Sequence, residues 1–391
     1  MTREEYEILL RPETVRAIAD NRGRDSVEVA LDGRLTHARE VASQVKYLAR
    51  AESKLPSYAA AGCILPPRAF EQSSSEVCAA LKPGSGDAAL DLTCGLGVDT
   101  AAVARRFGRV VAVERDEVLA DVARENFRRL GIANVEVVTA DSAEYLRRAL
   151  DEGRRFDWIY ADPDRRDAAG RKMVCLEDCS PDLVPLLPEI RRSGQALCVK
   201  LSPMFDVDEA FRIFGPCEVE TVSLGGECKE VNVHLRPDAV QSSVTAAAAD
   251  SHGAVCRVSF PREDASGELC REPFRAERYR WLGVPDAALQ KARLVARTLA
   301  GRADVWSENG FAFAAEAVEG VPVRWFGIEA AEPYNPRRLR RELHGARVEI
   351  LRRDFPISTA EICRACGIRE GGDMRAAFTC AGGQRWMIRL K

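Results

Sequence analysis

The stretch Asp91-Leu92-Thr93-Cys94-Gly95-Leu96-Gly97-Val98-Asp99-Thr100 constrains the fold more than any other, because it joins an apolar strand to a helix through two closely spaced glycines. A doubly wound α/β sheet binds a nucleotide at that kind of junction. Glycine alone turns tightly with positive φ and lets the backbone approach a ligand without steric penalty. The helix expected over residues 98–107 would point its positive end at the site. A short Gly-x-Gly by itself is equally consistent with a plain tight turn.

The pattern downstream favours the ligand site. Val110-Val111-Ala112-Val113-Glu114 reads as a strand ending in a carboxylate, followed by a helix over 116–130. Val135 to Asp141 and Phe156 to Asp164 are further strands closed by acids. Strands in succession with acids near their carboxyl ends collect those acids along one edge of a parallel sheet. A solvated face would explain one such acid but explains the series poorly. At the usual spacing Glu114 would hold ribose hydroxyls, or else be an exposed strand end. For Asp141 the alternative is a helix N-cap ahead of Ser142.

At 391 residues the chain is long enough for two or three domains. An apolar share of 46% with 30% charged residues is an ordinary globular balance. No run approaches the roughly twenty apolar residues of a membrane span, and Thr2-Arg3-Glu4-Glu5 is unlike a signal peptide, so a cytoplasmic location is expected. Thirteen cysteines form no secreted-type framework. Cys363 and Cys366 have metal-type spacing, but no second pair follows, so helix packing is expected there and no metal.

Charge is uneven. Residues 333–391 hold thirteen Lys/Arg and six Asp/Glu, a balance of +7, which leaves −10 for the rest of a chain whose total is −3. Arg337, Arg338, Arg340 and Arg341 form the densest run, flanked by Tyr334 and Phe355. This is the footprint expected for a phosphate backbone, with a solvated amphipathic helix as the alternative.

Residues 1–60 read as helical, with apolar spacing over 15–20 and 38–51. An α/β domain follows over 61–239, with strands near Ala88, Val110, Val135, Trp158 and Leu197 and a last pair near Val219 and Val231. Residues 240–273 read as a hairpin turning at His252-Gly253 and then a polar linker. A second α/β module fills 274–391, with helices over 286–300 and 358–366 and strands near Val321 and Val348. Ser358 with Glu361 is a capping-box signature.

The chain resembles class I S-adenosylmethionine-dependent methyltransferases, and within them a bacterial group with a C-terminal THUMP-like domain. The resemblance rests on the glycine loop, Glu71-Gln72-Ser73-Ser74-Ser75-Glu76, Asp162-Pro163-Asp164-Arg165-Arg166-Asp167, Lys200-Leu201-Ser202-Pro203-Met204 and Glu227-Cys228-Lys229-Glu230. Asp164 departs from the group's alanine. The resemblance implies a Rossmann-like sheet in the order 3-2-1-4-5-7-6, with S-adenosylmethionine as cofactor and RNA as partner. It implies cofactor contacts from Gln72, Ser73, Asp91, Thr93, Gly95, Gly97, Asp99, Glu114, Arg115, Asp141 and Ser142. Asp91 would meet the cofactor's ammonium, Glu114 its ribose and Asp141 its adenine.

Asp162-Pro163 is the catalytic candidate, an acid that accepts a hydrogen from a base nitrogen, with Arg165 in place of the stacking aromatic. Arg166, Lys200, Ser202, Pro203 and the four arginines at 337–341 would bind substrate. Methylation at pyrimidine C5 needs a cysteine nucleophile, and Cys175 and Cys179 lack a base or oxyanion donor at a fitting spacing, so a nitrogen target is favoured. The alternatives are an RNA-binding protein without turnover and a methyltransferase of small molecules or proteins.

Overall fold

The computed structural model describes residues 1–164, 179–237 and 239–391. Compactness divides the chain into two units, Met1–Cys217 with Asn232–Val240, and Glu218–Val231 with Gln241–Lys391. The four segments read from the sequence remain a separate proposal about its modules.

The first unit begins with helices α1 (Arg3–Leu10), α2 (Pro12–Asp20), α3 (Ser26–Ala30), α4 (Ala38–Lys54), α5 (Pro56–Ala60), α6 (Pro67–Gln72) and α7 (Glu76–Leu81). Strands β1 (Gly86–Asp91), β2 (Phe107–Glu114), β3 (Val135–Thr139), β4 (Trp158–Ala161) and β5 (Leu197–Leu201) then alternate with α8 (Val98–Ala104), α9 (Glu117–Arg129), α10 (Ser142–Asp151) and α11 (Leu187–Ser193), and α12 (Val207–Phe214) follows β5. The five strands pair in parallel. With β6 (Glu218–Leu224) and β7 (Glu227–Leu235), the order runs β3-β2-β1-β4-β5-β7 in this unit, where residues 232–235 supply the last strand. Ala88 to Asp91 and all of β4 are buried, the pattern of a parallel sheet covered on both faces.

Helix α8 stops at Ala104, short of the Phe107 expected from the sequence. Phe107 instead opens β2, where burial pays best: its ring stacks on Trp158 with centroids 5.9 Å apart. The N-terminal helices are docked firmly on this unit. Tyr6, Leu48, Leu55, Tyr58 and Phe70 share a core with Leu96, Val98 and Val122. Buried Asn126 accepts from the Ile64 amide at 2.8 Å and donates to the Ile64 carbonyl at 2.9 Å. A polar side chain so satisfied fixes register without an unpaired group.

In the second unit, β6 and the first half of β7 meet at Gly225 and Gly226, whose φ values of +61° and +83° suit a two-residue hairpin turn. Strand β8 (Ser243–Ala249) runs parallel to β6, and β9 (Val255–Pro261) returns antiparallel to β8. Within this unit the order is β7-β6-β8-β9, so the hairpin of β8 and β9 lies beyond the β6 that the expected 3-2-1-4-5-7-6 order placed last. After Pro261 closes β9, residues 262–273 hold only a short 3₁₀ turn at Arg262–Asp264.

A second sheet contains β10 (Trp281–Pro285), β11 (Asp304–Val305), β12 (Ala312–Ala314), β13 (Val323–Pro333), β14 (Arg347–Arg352), β15 (Arg369–Glu370), β16 (Met374–Ala381) and β17 (Gln384–Leu390), in the order β11-β12-β10-β13-β17-β16-β14-β15. The single helix expected over 286–300 is two, α13 (Ala287–Lys291) and α14 (Val295–Leu299). Between them Arg293 takes φ +56°, and the Glu308 carboxylate accepts from the Val295 and Ala296 amides at 2.8 and 3.1 Å, giving α14 its own N-terminus. Helices α15 (Pro336–Leu343) and α16 (Thr359–Cys366) complete the unit, and Ser358 and Glu361 form the expected capping box. Leu339, Phe355, Ile362 and Cys366 pack in one cluster, so the second thiol of the Cys363/Cys366 pair is a core group. Among the described residues, no helix is long and apolar enough to cross a membrane.

Candidate functional site

The chain runs outward from β1 to β2 and β3, then returns to β4 on the other side of β1. That reversal opens a crevice at the carboxyl ends of β1 and β4, where doubly wound sheets bind ligands. The residues singled out between 91 and 162 gather there.

Asp91 ends β1 and is buried. One oxygen accepts from the Thr93 amide at 2.8 Å and the other from the Thr100 hydroxyl at 2.5 Å. Burial pushes its carboxyl up to about 7, held back by the bonds from Thr100 and Thr93. Gly97 has φ +83° at the entry to α8, and a Cβ there would lie 2.6 Å from the Phe127 ring. Gly95 has φ +55°, with only the Thr93 carbonyl within 4 Å of a Cβ position. The first glycine leaves open space, and the second lets α9 pack closely.

Glu114 ends β2 and its oxygens accept from the Gly95 and Asp116 amides, each at 2.9 Å. Burial raises its carboxyl above the ordinary value, and these amides pull it back. The carboxylate thus ties the glycine loop to β2 while each oxygen keeps acceptor capacity. Asp141 is exposed and caps α10, accepting from the Ala143 and Glu144 amides at 2.9 and 3.1 Å. Ser142 donates to the Leu92 carbonyl at 2.6 Å, which holds this cap against the loop.

Asp162 follows β4. Its amide donates to the Thr93 hydroxyl oxygen at 2.6 Å, and its carboxylate pairs with Lys200 of β5. Thr93 therefore bridges the ends of β1 and β4. Burial raises the Asp162 carboxyl, and the Lys200 ammonium opposes that rise. Pro163 is buried, and Asp164 pairs its backbone with Ser180 in both directions at 2.8 and 2.9 Å. The Ser202 hydroxyl accepts from the Met204 amide at 3.1 Å, shaping the turn with Pro203 after β5. Arg165, Arg166 and Cys175 lie outside the described residues.

The other residues expected at the cofactor make contacts within the chain as follows. Asp99 accepts from the Ser74 hydroxyl at 2.9 Å and pairs with Lys82 at 2.8 Å. Gln72 accepts from Arg68 at 3.3 Å, Ser73 donates to the Phe70 carbonyl at 3.0 Å, and Arg115 donates to the Ser180 hydroxyl at 2.8 Å. Sequence reading missed Ser74, Lys82 and Thr100. Ser74 lay inside a quoted motif and Thr100 closed the glycine stretch, but nothing in the sequence pairs Lys82 with Asp99. Cys94 is buried with its thiol pushed well up by desolvation, the state of a packing group and not of a thiolate nucleophile.

In the second unit, α15 buries Leu339 and exposes Arg337, Arg340 and Arg341. Asn335 caps it by accepting from the Arg338 amide at 3.1 Å. The Arg338 guanidinium is held by Glu332 and, at 3.5 Å, by Glu342. Three of the four arginines therefore present charge to solvent.

Comparison with known proteins agrees with both units. Residues 89–170 match the family model described as a methyltransferase domain, and residues 323–391 match THUMP domain-like. The chain is 44% identical over 88 residues to the 23S rRNA (uracil(1939)-C(5))-methyltransferase of Xylella fastidiosa, covering 22% of this chain and only 20% of that protein. It is 27% identical over 300 residues to an uncharacterized S-adenosylmethionine-dependent methyltransferase of Mycobacterium tuberculosis, covering 75% and 77% of the two chains. A crystallised protein of Porphyromonas gingivalis, assigned as a methyltransferase, shares the fold over 100% of this chain and 99% of its own, with a TM-score of 0.80 at 24% identity.

Proposed function

We propose that this chain, a class I methyltransferase fold with a C-terminal THUMP-like domain, transfers a methyl group from S-adenosylmethionine to a base nitrogen of RNA. The observation that carries the reading is the convergence of Asp91, Glu114 and the Asp162–Lys200 pair at the edge where β1 and β4 part.

The donor set fits the cofactor. Among the described residues there, the carboxylates of Asp91, Asp99, Glu114 and Asp162 outnumber the ammonium groups of Lys82 and Lys200, a balance that favours a ligand carrying positive charge. Glu114 retains acceptor capacity for a pair of hydroxyls, and the space beside Gly95 admits a close backbone approach. When bound, the cofactor supplies an electrophilic methyl carbon. The protein then has to align a nucleophile and manage one proton. Asp162 accepts the hydrogen of the target N–H, which turns the nitrogen lone pair outward. Lys200 keeps that carboxylate anionic and fixed, and the proton released as the N–C bond forms passes through Asp162 to solvent.

RNA as the substrate is supported by the exposed arginines of α15 within the THUMP-like match and by the names of the short-range relatives. Those relatives act on a uracil carbon. The nitrogen target rests on Asp162, paired with Lys200, as the acceptor for an N–H. A cytoplasmic setting accords with such a substrate.

The test is transfer of labelled methyl to total RNA from cells lacking the gene, comparing wild type with Asp162→Ala and identifying modified nucleosides by mass. A labelled N-methyl nucleoside formed only by wild type is expected. A C5-methyl pyrimidine would overturn the nitrogen assignment. No label with intact cofactor binding would favour an RNA-binding protein without turnover or a different substrate.

A further inference from the structure

The proposed chemistry uses the ends of the strands and leaves the outer face of α4 without a role. Arg39, Lys46, Arg50 and Lys54 follow one another at intervals of seven, four and four residues, which places all four on one face of a helix. Ser43 shares that face, and the two acids of α4, Glu40 and Glu52, fall outside it by the same count. Val41, Val45, Leu48 and Ala51 hold the opposite side in the core. Arg39, Lys46 and Arg50 are exposed, and among the described residues Arg39 and Lys46 have no ion-pair partner.

The cationic face continues toward the crevice through α6. Arg50 is paired with Glu71, and its guanidinium stands 5.3 Å from the centroids of both the Tyr47 and Phe70 rings. Lys54 donates to the Phe70 carbonyl at 2.6 Å and lies 4.8 Å from the centroid of that ring. Rings so placed hold long cationic side chains by attraction to their electron-rich faces. Arg68 of α6, its side chain 70% exposed, reaches Asp164 at 3.1 Å, and Asp164 stands two residues beyond Asp162. Positive charge therefore runs from the start of α4 to the end of β4 within the first unit. The Glu71 carboxyl is held below its ordinary value by the hydrogen bond from Arg50, with Lys54 and Lys46 acting in the same sense.

We propose that this face of α4, together with Arg68, is a phosphate track that guides the RNA strand carrying the target nucleotide toward Asp162. This rests on the reading of RNA as the substrate. Lys46, Arg50 and Lys54 step by about 6 Å along the helix axis, so consecutive phosphates of one strand meet consecutive side chains. A row of cations that follows the backbone binds a single strand without reading its sequence. Arg39 and Lys46 meet phosphates without breaking an ion pair, so they carry most of the affinity.

The full chain is titrated into a fluorescein-labelled oligouridylate, with anisotropy read across a series of salt concentrations. Arg39→Glu with Lys46→Glu is compared with Arg105→Glu with Arg109→Glu. The latter pair makes the same change of net charge among exposed residues where β2 begins, at the sheet edge opposite Glu114. The α4 pair should weaken binding at least about 10-fold at low salt. It should also lower the slope of log affinity against log salt by about 1.4, since each contact with a single strand is worth about 0.7. The β2 pair should cost about 3-fold at most, through the general field alone, with the slope kept. Equal losses from the two pairs, or an unchanged slope in the α4 pair, would overturn the proposal. So would loss of binding to vesicles of phosphatidylserine and phosphatidylcholine with RNA affinity intact, which would assign the face to a membrane surface. Should the α4 pair fail to fold, Arg39→Gln with Lys46→Gln must give the same fall in slope with a smaller loss of affinity. Methyl transfer to RNA by the α4 pair at the wild-type KM would defeat the track and leave the functional reading standing. A wild type that binds RNA through this face yet transfers no methyl to it would do the reverse.

Discussion

Charge is used in two contrasting ways in this molecule. At the β1/β4 crevice, acids and ammonium groups are enclosed, and each described group is held by hydrogen bonds or an ion pair, as in Asp91 with Thr93 and Thr100, or Asp99 with Ser74 and Lys82. On α15, Arg337, Arg340 and Arg341 are exposed to solvent. Enclosed charges must be paired, because desolvation penalises them heavily, and they respond to pH and to single substitutions. Surface charges cost little, contribute little to stability and act by summed field, so they respond to salt. The comparison separates charges held one by one in fixed pairs from charges that act together on solvent and its ions.

The sharpest break in that contrast is Asp162→Ala. Methyl transfer should fall by at least about 100-fold while cofactor affinity, measured by calorimetry, changes little, because the proposed role of the carboxylate is to act on the substrate hydrogen. Equal loss of both would move Asp162 into the cofactor site. Next in size is Glu114→Ala, which removes the acceptor for the Gly95 and Asp116 amides as well as the proposed hydroxyl contact. Cofactor affinity should weaken by about 10- to 100-fold, the worth of a charged, partly enclosed hydrogen-bonding group. Binding that is unchanged would sink the assignment.

On the surface side, replacing Arg337, Arg340 and Arg341 together by Glu should leave the melting temperature nearly unchanged. It should weaken RNA binding and lower the slope of log affinity against log salt by up to about three. Adding Arg338 should contribute less than the others, since Glu332 and Glu342 already neutralise it. A fall in thermal stability with no change in salt slope would make α15 a structural helix only.

The enclosed side of the contrast also predicts a pH dependence of the unliganded protein. Asp91 is raised from 3.8 to about 7 by burial, so between those values the folded state holds a proton that the unfolded chain has released. Stability from this group therefore falls as pH rises through that window and levels off above about 7. Melting temperatures of wild type and Asp91→Asn, followed across the same range, should converge at low pH and part as pH rises. Parallel curves would show that Asp91 titrates normally. Binding of the cationic cofactor should strengthen over the same rise in wild type and not in the variant.

Much of this was legible in the amino-acid order alone. The alternation of apolar runs with helical segments, the two glycines and the acids closing successive strands determined an α/β sheet with a ligand edge, because side-chain period and glycine's access to positive φ are local properties. The capping box at Ser358 and Glu361 and the turn at His252-Gly253 are local for the same reason. Tertiary structure decided what locality cannot express. Phe107 left its helix for a strand because Trp158, fifty-one residues away, offered a stacking partner. The helix expected over 286–300 broke because Glu308 supplied a second N-terminal acceptor. Asp99 pairs with Lys82 and accepts from Ser74, and Arg338 pairs with Glu332, contacts that no local pattern announces. Each of these depends on which distant group fills a buried space or compensates a buried charge. That is settled only when the chain has folded and water has been excluded.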